Sequence, residues 1–266
     1  MCAIDENGFI SGRIQSWIDD HQTRHNAIFS TALKLNRECH KFLSGRSVTL
    51  GSELQLTTSV LFARMLEIYQ AILLVIGRGM ISAGRVLFRT YLEAYFYFSA
   101  IHKDPLFLKE YLDQLQIQRR SIANRLRKSK SPDLEHLRKP LTDDLIAEIN
   151  QTIRQEKIKD LTIKDVAERA GLLDVYLTAY AILSATVHTN AADLESHLDY
   201  NEQENRIKGF RYGPSDEETK RIVGLASMTM AEALGTISQT FGEDQKEMCD
   251  KIKESFWQIL SEQETG

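Results

Sequence analysis

Two sets of polar side chains recur at four-residue intervals inside apolar runs: Arg85, Arg89 and Glu93 in one segment, and Tyr176, Tyr180, Ser184 and His188 in another. Four residues make about one helical turn, so each set forms a continuous line along a helix face. Phe88, Tyr91, Leu92, Tyr95 and Phe96 surround the first line, and Leu177, Ala179, Ile182, Leu183 and Val187 the second, so both helices seek burial. Buried charges need partners, and each line supplies what the other lacks. A histidine is the side chain most readily poised for proton transfer near neutral pH, and Ser184 lies one turn from it. A serine nucleophile would also need an orienting carboxylate and an oxyanion site; Glu93 supplies the carboxylate if the two helices pack together. Arg85 and Arg89 could hold an anion. The same residues could instead form an ion-pair network that fixes the core. Either reading predicts that the helices meet face to face, with Glu93 or Arg89 within hydrogen-bond reach of Tyr180, Ser184 or His188.

Other patterns carry less chemistry. Arg119, Arg120, Arg125, Arg127, Lys128 and Lys130 form an acid-free basic run that could follow a phosphate backbone, but no aromatic interleaves it for base stacking. Basic residues also gather at helix C-termini to complement the dipole. The segment from Thr162 to Gly171 resembles the first half of a helix-turn-helix. From Leu172 to Val187, however, there is no Lys, Arg, Asn or Gln to read bases or grip phosphate, which argues against sequence-specific DNA recognition. His21 and His25, four apart on a helix read as surface-exposed, lack a third metal ligand nearby, and paired E-x-x-H motifs are absent. No metal or cofactor is expected.

The elements that must position these residues are helical. Apolar residues recur at three and four positions, strand-like alternation is lacking, and only four prolines and fourteen glycines interrupt 266 residues. The pattern predicts a helix over 12–43, a hairpin of helices over 52–76 and 80–102 turned by Gly77-Arg78-Gly79, and a helix from Pro105 to Lys128. A peripheral helix follows from Thr142 to Glu156, then a short one after Thr162 and, beyond Gly171, the helix bearing the second line. Asn190 and Asp193 resemble a capping box for a further short helix. Residues 200–214 read as polar loop, Ser215 to Glu218 as the cap of a long helix to Phe241, and 243–261 as the last helix. The expected architecture is a single all-α domain over 1–266, a bundle with its core at about 52–200 and the flanking helices 12–43 and 215–261 packed on it.

With 42% hydrophobic and 26% charged residues, the composition is that of a globular chain, and a net charge of −4 selects no class of partner. Cys2, Cys39 and Cys249 lack C-x-x-C spacing, and the acidic start lacks the features of a signal peptide. The region from Ile68 to Ile101 is broken by Arg78, Arg85, Arg89 and Glu93, short of the ~20 uncharged residues of a membrane span. A cytoplasmic protein without a membrane partner is expected.

The pair of segments Arg85-Val-Leu-Phe-Arg89-Thr-Tyr-Leu-Glu93 and Tyr180-Ala-Ile-Leu-Ser184-Ala-Thr-Val-His188 resembles the signature of a bacterial all-helical family of unknown function, over about Leu54 to Leu198. More remotely, such domains are similar to the HEPN superfamily, many of whose members are metal-independent ribonucleases of toxin and antiphage systems. That superfamily places an arginine four to six residues before its histidine. Here those positions hold Ser184, Leu183 and Ile182, so the resemblance implies a catalytic arginine from Arg85 or Arg89. Two functions follow. One is a ribonuclease-like effector acting on RNA, with His188 as acid or base, Arg89 stabilising phosphate charge and Glu93 orienting them. The other is a non-catalytic binding module whose pocket of Arg85, Arg89, Glu93, Tyr180, Ser184 and His188 holds an anionic ligand or fixes the core. A homodimer or a neighbouring-gene product is the expected protein partner.

Overall fold

The computed structural model describes residues 5–47, 52–187, 191–195, 197–201, 203 and 205–261. After two short 3-10 turns come α1 (Gln15–Arg24), α2 (Asn26–Ser44), α3 (Glu53–Gly77), α4 (Ile81–Lys103) and α5 (Phe107–Lys128). Smaller helices follow: α6 (Glu135–Arg138), α7 (Asp143–Gln155), α8 (Ile163–Arg169), α9 (Leu173–Val175), a π-helical segment (Tyr176–Tyr180), α10 (Ala181–Val187) and α11 (Ala191–Glu195). A two-stranded hairpin, β1 (Leu198–Asn201) and β2 (Arg206–Phe210), leads to α12 (Thr219–Thr240) and α13 (Lys246–Ser261). The fold is all-α.

The central hairpin of α3 and α4 is turned by a glycine at the position that needs one. Gly79 has φ +73°, and Met80 N–H donates to Val75 C=O (3.0 Å) while Gly79 N–H donates to Ile76 C=O (2.8 Å). That double closure uses the carbonyls an ending helix leaves unpaired. At the start of α3, Ser52 Oγ accepts from Gln55 N–H. α12 lies against α2, α3, α4 and α13. Its small residues Ala226, Ser227 and Ala231 are buried where the large rings Tyr69 and Tyr91 are also fully enclosed. Tyr69 Oη meets Ser227 Oγ at 2.8 Å and Ala32 C=O at 3.3 Å, so both buried hydroxyls are paired. Each such ring contributes roughly 1.5–3 kcal/mol when buried, so α4 is held chiefly by its aromatic face and its polar line is left to set specificity. α3 is long and apolar enough to cross a membrane by composition, and half of its most apolar window is buried within the bundle.

The structure departs from the sequence reading at four places. The helix expected over 12–43 is broken at His25 (φ −109°, ψ 24°), where α1 gives way to α2. The helix bearing His21 lies at the surface as expected, but that histidine faces inward: His21 is fully buried, its Nδ1 3.3 Å from Gly77 C=O and its Nε2 3.0 Å from Thr219 Oγ1. The expected loop over 200–214 contains the antiparallel hairpin, with a bulge at Asp199/Tyr200. Ser215 to Glu218 do not cap α12 with a side chain; Glu218 instead takes a left-handed backbone (φ 61°). Asn190 of the expected capping box lies outside the described residues.

Candidate functional site

α4 buries Phe88, Tyr91, Leu92, Tyr95 and Phe96 and so turns its polar line toward the segment Leu173–Val187, against which it packs. That segment runs through a π-helical turn at Tyr176–Tyr180. Thr178 Oγ1 donates to Asp174 C=O (2.6 Å), competing for a carbonyl that regular α-geometry gives to the backbone. Four residues stay near one turn in either helix type, so the Tyr176 and Tyr180 rings remain stacked at 5.1 Å and 20°. Such π segments frequently mark functional sites.

The described residues bring four of the expected groups into one network. Arg89 Nε donates to Ser184 Oγ (2.9 Å), Nη2 donates to Tyr180 Oη (2.7 Å), and Nη1 lies 3.0 Å from Glu93 Oε1. Tyr180 Oη in turn donates to Glu93 Oε1 (2.7 Å). The guanidinium also stands over the Tyr180 ring, 4.8 Å from its centroid, and the Phe96 ring packs against Tyr180 at 5.8 Å, tilted by 57°. Burial pushes the Tyr180 hydroxyl up to about 12, reinforced by the Glu93 carboxylate, so at neutral pH it remains a proton donor. The network is shielded yet open at one edge: the Arg89 and Glu93 side chains keep 19% and 28% of their exposure.

Glu93 marks that edge. It lines a cleft of about 480 Å³ between α3, α4 and α5, together with Arg64, Thr90, Tyr97, Tyr111 and Gln118. Arg85, one turn before Arg89, donates from Nε to Glu218 Oε2 (2.6 Å) at the start of α12, and Glu218 also pairs with Arg221. The left-handed backbone at Glu218 is a strained state for a non-glycine residue, and it accompanies a carboxylate shared by two arginines. His188, expected to complete the site, lies outside the described residues.

The basic run occupies the last turns of α5. Arg127 pairs with Asp143 (2.7 Å), and Arg119, Arg125, Lys128 and Lys130 are exposed, with Arg120 half-buried. α8, the helix that resembles half of a DNA-reading unit, has a reciprocal cap between Thr162 and Asp165 and buries Val166 and Ala167, packing on α4. Among the described residues no three His, Cys, Asp or Glu side chains form a metal-holding group. The sequence reading did not single out Arg64, Tyr97, Tyr111, Glu218 or Arg221. Tyr97 continues the four-residue line one turn beyond Glu93, whereas the other four acquire their place through packing between distant segments.

The sequence profile of a family of unknown function, DUF5677, matches residues 55–206, more than half of the chain, and the chain belongs to that family. The match spans α3, α4 and the segment carrying Tyr180 and Ser184. No curated protein and no solved structure matches the chain.

Proposed function

We propose that this member of DUF5677 is a non-catalytic binding module, in which Arg89, Tyr180 and Ser184 hold the Glu93 carboxylate at the wall of an open cleft. The observation that carries this reading is the engagement of Arg89 on all three guanidinium nitrogens, by Ser184, Tyr180 and Glu93. An arginine that stabilises a phosphoryl transition state must aim free donors at the position where charge develops. Here each guanidinium nitrogen already faces a protein group, so the guanidinium organises its neighbours, and Glu93 is the member of the network that lines the cleft. In this reading Ser184 accepts a bond from Arg89 and acts as a strut. We also propose a reducing, cytoplasmic setting, supported by Cys39 and Cys249 as buried free thiols.

The competing reading is a HEPN-like, metal-independent ribonuclease of a toxin or antiphage system, with His188 as acid or base and Arg89 on the phosphate. It requires Arg89 to aim Nη donors at substrate, either beside its contacts with Glu93 and Tyr180 or in place of them. Incubating the full chain with single-stranded and structured RNA in EDTA separates the two. The binding-module reading expects no cleavage beyond that of a His188→Ala control. General acid-base catalysis contributes about 100-fold to 10,000-fold, so cleavage that falls by such a factor in His188→Ala would overturn it.

A further inference from the structure

We infer that the cleft between α3, α4 and α5 binds a small zwitterion of the amino-acid or short-peptide class, Arg64 taking its carboxylate and Glu93 its ammonium group. The inference rests on the reading that Glu93 is presented to a ligand. At about 480 Å³ the cleft falls among small-molecule sites, which span roughly 300–1,000 Å³. Its floor holds two rings, Tyr97 and Tyr111, 5.1 Å apart and tilted by 54°. Burial raises both phenols, and their next influences differ. Tyr111 feels the positive charge of Arg64, whereas Tyr97 feels the neighbouring Tyr111 and then the negative charge of Glu93. The two ionic groups line the same cleft as the ring pair, from different helices, α3 and α4.

Both groups have capacity to spare. Among the described residues Arg64 makes no ion pair, and its fork is suited to a carboxylate. Glu93 commits Oε1 to Arg89 and Tyr180, while Oε2 has no bond to any described residue. The Tyr97 and Tyr111 rings line the same cleft, and aromatic faces attract cations. Leu112 and Leu115, exposed at 45% and 50%, offer apolar surface to a ligand side chain. The charge pattern discriminates: a simple carboxylate meets the like charge of Glu93, and a simple amine meets Arg64, whereas a zwitterion satisfies both.

The test is a binding screen of the full chain by saturation-transfer NMR followed by calorimetry. The probes are the twenty L-amino acids and a panel of dipeptides, with the N-acetyl and C-amide derivatives of every hit. The expected result is at least one zwitterion that binds, with each single-charge derivative weaker by about tenfold or more. Arg64→Ala and Glu93→Gln should each weaken it similarly. Arg64 is exposed, so its variant should keep the wild-type circular dichroism and melting temperature. The inference is overturned if no zwitterion binds, if a derivative lacking one charge binds equally well, or if Arg64→Ala binds as tightly as wild type. A singly charged ligand that binds and loses affinity in Glu93→Gln would overturn the zwitterion while leaving the binding-module reading intact. His188-dependent RNA cleavage would instead remove that reading.

Discussion

Replacing Tyr180 by Phe isolates the hydroxyl that links Arg89 to Glu93. The ring contacts with Tyr176, Phe96 and the Arg89 guanidinium persist, because phenylalanine keeps the same ring. Two bonds disappear, one accepted from Arg89 Nη2 and one donated to Glu93 Oε1, both of 2.7 Å. Bonds to charged groups contribute ~1.5–3 kcal/mol each. The Arg89–Glu93 contact survives at 3.0 Å and both partners touch solvent, so neither charge is stranded. The expected loss is therefore about 2 kcal/mol, well short of the sum of the maxima. For a chain of this size about 1 kcal/mol corresponds to roughly 2–4 °C, which lowers the melting temperature by roughly 4–8 °C. Urea unfolding at pH 7 should show a lower midpoint with an unchanged slope. A double-mutant cycle with Glu93→Gln should give a coupling of about 1 kcal/mol, since the two side chains share one bond. Stability within about 0.5 kcal/mol of wild type, together with additive single effects, would refute the network as drawn.

Two further outcomes follow from other contacts. Gly79→Ala should destabilise by at least about 2 kcal/mol in the same urea assay, because φ is +73° and a Cβ would stand 2.8 Å from both Pro214 Cβ and Ser215 N; a midpoint equal to wild type would show that this turn relaxes freely. Burial holds His21 and His25 below the ordinary 6.5, so the unfolded chain takes up protons first as the pH falls. Stability should be complete above pH 6.5 and decline as the pH drops through the lowered folded values. Both His25 ring nitrogens are buried with no hydrogen-bond partner among the described residues, and Asp216 lies 3.9 Å away, so His25→Phe should flatten the decline without loss at pH 7.5. A slope as steep as in wild type would assign the pH dependence to other groups.

The two polar lines were legible because helical periodicity and apolar flanks are local properties. An Arg-x-x-x-Glu inside an aromatic helix must find partners wherever that helix packs, and a second line with hydroxyls was the available complement. The α3–α4 hairpin was equally legible, since Gly77-Arg78-Gly79 offers the left-handed backbone that closes a helix. The break at His25 carries no glycine or proline, and its cause is tertiary: His21 is anchored to Gly77 and Thr219, far away in sequence. The β1–β2 hairpin is largely exposed, so no buried face imposed an alternating pattern that could be read. The π turn at Tyr176–Tyr180 left no mark in the spacing, because four residues stay near one turn in either helix. Sequence alone determined which side chains required company. The docking of α12 on α4 decided that Arg85 meets Glu218, and the docking of both α3 and α5 on α4 decided that Arg64 and Tyr111 share a cleft with Glu93, because such contacts depend on how whole faces pack and no local pattern encodes them.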